Sequence, residues 1–215
     1  MEHAWLKREG ARDLVLFMLG WGATPNAVLH IHPPGCDVLA FYNYTDIPPP
    51  VPAEMTAGYR RVYLIAWSFG VWVAEQCCQH LPLHKAIALN GTPFPSDPRY
   101  GLRLRVLLRT MRGIAKAGGV NPFADKSQEG TRYIPSGPYP ERSAEEMVDE
   151  LQRLADWSAS SSTARIPWDK AFIATRDEIF PPANMRAYWA TVGLGTEFDS
   201  FHYPFADPAL ILAEI

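Results

Sequence analysis

The feature that most constrains this chain is a short turn between a predicted strand and a predicted helix. The strand candidate is the apolar, β-branched run 61–65, the turn is Ala66-Trp67-Ser68-Phe69-Gly70, and a helix-like stretch begins at Val71. Small residues at both ends of such a turn let the helix pass close to the strand and lift the serine hydroxyl clear of the sheet. A serine presented in this way can act as a nucleophile when a base and oxyanion donors lie beside it. We therefore predict a nucleophilic Ser68, although Ala66 stands where a glycine is usual.

Two later segments supply the partners that a nucleophilic serine needs. Asp177 follows the buried strand candidate 170–175, and His202 follows the short strand candidate 196–200. Serine, aspartate and histidine in this chain order are typical of α/β-hydrolases and not of the other serine-protease folds. We predict that His202 is the general base for Ser68 and that Asp177 orients the imidazole.

Each of these assignments has a structural alternative. A loop aspartate often caps the following helix, which would leave Asp177 without a catalytic role. Asp199 and Asp207 lie close enough in the sequence to orient the histidine instead, although Asp207 is better suited to cap a terminal helix. Ser68 could be an ordinary turn serine and His202 an ordinary satisfied histidine. The ordered occurrence of all three residues favours the catalytic interpretation.

A glycine-flanked turn near the N-terminus predicts the oxyanion donors. The strand candidate 13–19 ends in Gly20-Trp21-Gly22. A turn of this kind offers one backbone N–H to a developing oxyanion, and the residue after the nucleophile offers the second. We predict that the backbone N–H groups of Trp21 and Phe69 form the oxyanion hole. The same turn lacks the third glycine and the acidic partner of a dinucleotide-binding fingerprint.

The order of predicted elements indicates the fold class. Strand candidates, with helical stretches between several of them, lie near 13–19, 37–41, 61–66, 85–89, 170–175 and 196–200. This alternation predicts an α/β-hydrolase fold with a mostly parallel central sheet and helices on both faces. Between Pro93 and about Arg165 the pattern changes to helices and Pro/Gly-rich loops. We therefore predict a core at 1–96 and 166–215 and a helical lid insertion at 97–165.

Two helices are predicted within the lid. Ser143, followed three residues later by Glu146, forms a capping box at the start of a helix at 143–157. The other helix, at 101–116, carries four cations on one narrow face, which we call the basic ridge: Arg105, Arg109, Arg112 and Lys116. An apolar face beside it is formed by Leu104, Leu107, Leu108, Met111 and Ile114. A charged stripe is usually a solvated face; the alternative is a dock for an acidic partner.

Composition argues against several other classes of protein. The 215-residue chain has a net charge of −3, which gives no overall attraction to nucleic acid, and no apolar stretch of membrane-spanning length. The N-terminus lacks the basic start and apolar core of a signal peptide. Three cysteines, two of them adjacent, make a poor disulfide framework, so we expect a reducing cytoplasm. His30, His32, Cys36, His80 and His84 lack carboxylates at metal-binding spacing, so we predict neither a metal nor a cofactor.

Several motifs together resemble one known family. The matching segments are Leu19–Gly22, Ala66–Glu75, Asn90–Thr92, Arg176–Asn184 and His202–Phe205. They look like those of the BioG-type pimeloyl-[acyl-carrier protein] methyl ester esterases of biotin synthesis. The Gly-Trp-Gly turn and the His-x-Pro-Phe segment also resemble the BioH-type esterases, which catalyse the same reaction. The resemblance extends from about Phe17 to Phe205.

The resemblance implies a substrate and a partner. It implies a serine esterase that cleaves the methyl ester of pimeloyl-acyl-carrier protein, with the carrier as partner and the basic ridge as its dock. Two other functions stay open from the residues alone. One is a broad short-acyl esterase or thioesterase, for which the basic ridge would be irrelevant. The other is a non-catalytic ligand-binding protein that keeps the hydrolase fold.

Overall fold

A computed structural model describes residues 1–46, 48–116 and 137–215, without the side chains of residues 115 and 116. Within these residues one sheet has seven strands in the order β1-β3-β2-β4-β5-β6-β7. The strands are β1 Glu2–Lys7, β2 Asp13–Met18, β3 Cys36–Tyr42, β4 Arg61–Trp67, β5 Lys85–Leu89, β6 Lys170–Ala174 and β7 Thr196–Phe198. β2 to β7 are parallel, so their carboxyl ends meet at one edge of the sheet.

The antiparallel edge strand β1 has no counterpart in the sequence-based prediction, whereas the six predicted strands are confirmed. β1 pairs with β3, and its side chains are exposed or half-buried. Its sequence therefore lacks a continuous apolar run. In contrast, every residue of β2 is buried because both faces of the sheet are covered there.

Helices cover both faces of the sheet, but the longer ones lie on one face. In the described residues the α-helices are α1 Phe69–Cys77, α2 Leu104–Lys116, α3 Ala144–Ser160, α4 Pro182–Trp189 and α5 Ala209–Leu212. Trp72 of α1 and Trp189 of α4 join the core cluster that includes Leu14 and Leu16 of β2. The core cluster on the opposite face of the sheet is covered by α5, by a short 3-10 helix at Pro25–Val28 and by Tyr203 and Phe205. None of the helices in the described ranges has the length and apolar character needed to cross a membrane.

The two lid helices follow β5 and precede β6. α2 and α3 pack on each other, and Leu107, Met111, Leu151 and Leu154 are buried in a shared cluster. The capping box at the start of α3 is confirmed: Ser143 Oγ accepts from Glu146 N at 3.2 Å, and Glu146 Oε2 accepts from Ser143 N at 2.8 Å. Residues 117–136 of the predicted insertion lie outside the described residues, and the division into core and lid stays a prediction.

The helix that carries the basic ridge starts later than predicted. Gly101 N and Leu102 N donate to the carbonyl oxygens of Asp97 and Pro95, so these residues belong to a turn and α2 begins at Leu104. Its buried side is narrower than the predicted apolar face, because Leu104 and Leu108 are exposed.

Candidate active site

Ser68 occupies a strained turn between β4 and α1. Its backbone has φ 58° and ψ −126°, outside the usual region for a residue with a side chain. The surroundings hold this conformation through close backbone packing. A Cβ added at Gly70 would lie 2.2 Å from the Met18 carbonyl oxygen, and one at Gly91 would lie 2.3 Å from the Ser68 carbonyl oxygen. Both positions therefore require glycine.

The structure brings Ser68, His202 and Asp177 into one hydrogen-bonded series. His202 Nε2 lies 3.0 Å from Ser68 Oγ, and His202 Nδ1 lies 2.7 Å from Asp177 Oδ2. The three residues come from the ends of β4, β6 and β7, which meet at the carboxyl edge of the sheet. All three are buried. With Nδ1–H donated to the carboxylate, Nε2 is free to accept the serine proton.

Asp177 uses both of its carboxylate oxygens. Oδ1 accepts from the backbone N–H groups of Ile179 and Phe180, each at 2.8 Å, while Oδ2 faces His202. These bonds fix the rotamer that presents Oδ2 to the imidazole. Helix α4 begins after Pro181, so Asp177 is not its N-cap residue.

The two alternative aspartates lie elsewhere. Asp199 is exposed and pairs with Arg176 at 2.6 Å. Asp207 Oδ1 accepts from Ala209 N at 3.0 Å, but the N-cap residue of the terminal helix is Pro208, so Asp207 is not its N-cap as predicted. Neither contacts His202 in the described structure.

The loop that carries His202 is held by two side-chain donors to its backbone. Trp67 Nε1 and Asn90 Nδ2 donate to the His202 carbonyl oxygen at 2.8 and 2.9 Å. Asn90 Oδ1 accepts from Ala174 N at 2.8 Å. Asn90 stands out in the sequence only as part of a family motif, and this contact was not predicted. The signal in the sequence is the Asn-Gly pair directly after a strand, because asparagine tolerates the left-handed backbone. Asn90 has this conformation, with φ 48°.

The predicted oxyanion turn lies directly against Ser68. A Cβ added at Gly20 would lie 3.1 Å from Ser68 Cβ, so a glycine lets the turn approach. The backbone N–H groups of Trp21 and Phe69 donate to no other group in the part of the chain that the structure describes. Phe69 is the first residue of α1, where an N–H has no partner within the helix. The two groups are available to an oxyanion.

A largely apolar pocket opens beside Ser68. The sheet edge and the lid contribute the lining residues Gly20, Trp21, Trp67, Ser68, Phe69, Leu102, Val106, Leu107, Thr110, Leu151, Ile179 and His202. His202 is the one ionisable residue among these described lining residues. The Thr110 hydroxyl donates to the Val106 carbonyl oxygen at 2.9 Å and is already engaged. Such a pocket favours an uncharged, apolar substrate.

The basic ridge lies on the outside of the same lid helix that roofs the pocket. Arg105, Arg109 and Arg112 are exposed, and none has a carboxylate partner among the described residues. The side chain of Lys116 lies outside the described residues. Exposed Leu104 and Leu108 accompany the arginines.

Comparison with known protein sequences points to one family. The profile of the family described as "Pimeloyl-ACP methyl esterase BioG" matches residues 1–210. An uncharacterized protein of Haemophilus influenzae is 33% identical over 195 residues, which make up 90% of this chain and 89% of that protein. A malonyl-[acyl-carrier protein] O-methyltransferase of Bacteroides fragilis is 30% identical over 181 residues. That match covers 83% of this chain but only 36% of the methyltransferase.

Solved structures confirm the α/β-hydrolase fold. The crystal structure of BioG from Haemophilus influenzae superposes with a TM-score of 0.82 at 30% identity, covering 96% of this chain and 95% of that one. A lipase-esterase related protein from Clostridium acetobutylicum superposes with a TM-score of 0.61 at 14% identity, covering 99% and 96% of the two chains. The second likeness concerns the fold alone.

Proposed function

Because the chain belongs to the BioG family of pimeloyl-ACP methyl esterases and is a carboxylic ester hydrolase, we propose that it cleaves its ester through an acyl-enzyme on Ser68. The substrate is the methyl ester of pimeloyl-acyl-carrier protein, a precursor in biotin synthesis. One observation carries the proposal: the hydrogen-bonded series from Asp177 through His202 to Ser68 ends at an apolar pocket.

The first half of the reaction transfers the acyl group to the enzyme. His202 Nε2 takes the proton of Ser68 Oγ as the oxygen attacks the ester carbonyl carbon. The backbone N–H groups of Trp21 and Phe69 bind the resulting oxyanion, and losing one such donor typically costs about 3 kcal/mol in the transition state. The carbon–methoxy bond then breaks, and methanol leaves with the proton from His202.

The second half returns the enzyme to its starting state. A water molecule gives a proton to His202 and attacks the acyl carbon, and Ser68 Oγ leaves with that proton. The product is a free carboxylate on the carrier-bound chain. Throughout, Asp177 Oδ2 keeps the imidazole in one tautomer and stabilises its positive form.

The apolar lining favours binding of the ester over binding of the product acid. A neutral methyl ester enters the pocket without losing a charged hydration shell. The product carboxylate finds neither Lys nor Arg among the described lining residues, and burying an unpaired charge is costly. The product is therefore expelled, and carriers that already bear a free acid bind poorly.

The basic ridge supplies a docking surface for the carrier. The ridge lies outside the pocket on α2, whose Val106 and Leu107 line the pocket itself. An acidic carrier held by Arg105, Arg109 and Arg112 would present its acyl chain at the pocket mouth. The Bacteroides fragilis relative supports a carrier-bound substrate, since it is named for methylation of a carrier-bound acid.

Charge reversal of the ridge tests the docking proposal. We expect the variant Arg105→Glu/Arg109→Glu/Arg112→Glu to raise KM for the carrier-bound methyl ester by about three- to hundredfold, because each exposed pair contributes about 0.2–1 kcal/mol. Turnover of a small free methyl ester should stay unchanged, since docking contributes uniform binding. The defect should shrink at high salt, where screening has already weakened the wild-type contact.

A control variant separates docking from net charge. Arg8, Arg12 and Arg186 are exposed and lie outside the pocket lining. Reversing all three gives the same charge change and should leave both substrates unaffected. Equal losses in the two triple variants at low salt would reject the ridge as a dock and leave only the esterase.

A further inference from the structure

We propose that Glu150 is a positioning residue for the oxyanion hole. It lies on lid helix α3 and holds the turn 20–22 in the geometry that points Trp21 N–H toward the pocket. The inference rests on the proposed function, because it concerns the same acyl-transfer step, and it adds a lid residue to the groups that step requires.

The Glu150 carboxylate joins two strand ends that flank the pocket. It is fully buried. Its Oε2 accepts from Gly22 N at 3.1 Å, directly after Trp21, and its Oε1 accepts from Tyr44 N at 2.7 Å, just after β3. The Tyr44 hydroxyl donates in turn to the Leu19 carbonyl oxygen at 2.8 Å, at the end of β2. The carboxylate and Tyr44 thus fix the oxyanion turn on both sides.

A second bond from the same helix acts on Trp21 itself. Trp21 Nε1 donates to the Met147 carbonyl oxygen at 2.7 Å. Met147 and Glu150 are three residues apart and therefore lie on one face of α3. The indole of Trp21 and the peptide that follows it are both bonded to this face. Its remaining donor, the backbone N–H, is the predicted oxyanion donor.

The acid is costly to bury, which argues against a role in packing alone. Burial raises the pKa of Glu150, opposed by the Arg142 charge and by the bonds from Tyr44 N and Gly22 N. Arg142 Nη1 lies 3.3 Å from Oε2. A buried ionic group can often be replaced by an apolar one of similar volume without loss of stability. The backbone N–H of Gly22 in the turn and that of Tyr44 after β3 need a hydrogen-bond acceptor, which an apolar side chain cannot provide.

The variant Glu150→Gln tests the proposal with a small methyl ester, so that carrier docking plays no part. An amide can accept from only one of the two backbone donors and turns an N–H toward the other. We expect kcat per titrated active site to fall about ten- to hundredfold with KM nearly unchanged, a loss confined to the transition state. The Ki of a boronic acid that mimics the tetrahedral intermediate should rise by the same factor.

The control is Ser143→Ala, which weakens α3 through its N-cap without touching the turn. It should lower Tm and leave kcat and the boronic acid Ki unchanged.

A folded Glu150→Gln protein with wild-type kcat and Ki would overturn the proposal. If Glu150→Gln does not fold, Trp21→Phe decides, because it removes the bond to the Met147 carbonyl oxygen and keeps an aromatic ring in the pocket lining. Here too we expect a lower kcat and a higher Ki, and wild-type values would overturn the proposal.

These outcomes are separate from those of the proposed function. Wild-type enzyme that does not turn over the methyl ester, or a fully active Ser68→Ala protein, would reject the acyl-enzyme mechanism. Wild-type behaviour of Glu150→Gln beside an inactive Ser68→Ala protein would reject only the role of Glu150.

Discussion

Substitution of Asn90 probes how His202, the proposed general base, is held in place. Asn90 is fully buried and has φ 48°. Its amide donates to the His202 carbonyl oxygen at 2.9 Å and accepts from Ala174 N at 2.8 Å. We compare Asn90→Ala with Asn90→Gly. Both variants lose these two hydrogen bonds and a longer one to the Phe201 carbonyl oxygen at 3.3 Å, but only alanine must adopt the left-handed backbone with a Cβ.

The expected magnitudes follow from these contacts. Loss of the amide leaves Ala174 N–H buried without an acceptor, which costs about 1–3 kcal/mol. The His202 carbonyl oxygen keeps Trp67 Nε1 as a donor. Alanine adds about 1–2 kcal/mol of backbone strain, whereas glycine adds about 0.4–1 kcal/mol through the entropy of the unfolded chain. Asn90→Gly should therefore be at least as stable as Asn90→Ala.

Urea denaturation and steady-state kinetics check the two halves of this reasoning. In both variants the less constrained His202 should lower kcat by up to about a hundredfold, because small misplacements of a catalytic group are costly. An Asn90→Ala protein clearly more stable than Asn90→Gly would refute the strain argument. Unchanged kcat in both folded variants would refute the role of Asn90 in holding the base.

Two further predictions concern aspartates. Asp177→Asn should lower kcat by about 10⁴-fold, because the wrong imidazole tautomer then faces Ser68; Asp199→Asn serves as the control, and a larger loss there would mean that Asp177 is the wrong acid. Hydrogen bonds from Arg60 and Arg61 hold the pKa of Asp13 well below its usual range. The stability from Asp13 is therefore present above the unfolded pKa of about 4 and is lost as pH falls toward the folded pKa. Wild type should be more stable than Asp13→Asn near neutrality and approach it in acid, as measured by thermal unfolding against pH, and a gap that grows in acid would contradict this.

The sequence predicted those parts of the site that depend on local pattern. The turn around Ser68 is encoded by five consecutive residues. Asp177 and His202 follow strands whose apolar residues make them recognisable in the sequence. β1 was not predicted, because an edge strand with exposed or half-buried side chains has no distinctive pattern of apolar residues.

The supporting contacts depend on the tertiary fold instead. Asn90 and His202 are 112 residues apart, and Gly22 and Glu150 are 128 residues apart. A buried glutamate on an amphipathic helix is indistinguishable from a solvated one until the opposing backbone is known. The capping box of α3 could be predicted because both of its residues lie within one turn of helix.

The most direct test is the mass of the proposed covalent intermediate. Purified enzyme is mixed with pimeloyl-acyl-carrier protein methyl ester, quenched in acid at short times and analysed by intact-protein mass spectrometry. Attack on the methyl ester predicts an adduct of the enzyme with the whole carrier, less methanol, located on Ser68 and lost in Ser68→Ala. Attack on the thioester would instead leave only the small methyl pimeloyl group on the enzyme and release a free carrier thiol. That smaller adduct, or undiminished turnover by Ser68→Ala, would contradict the account.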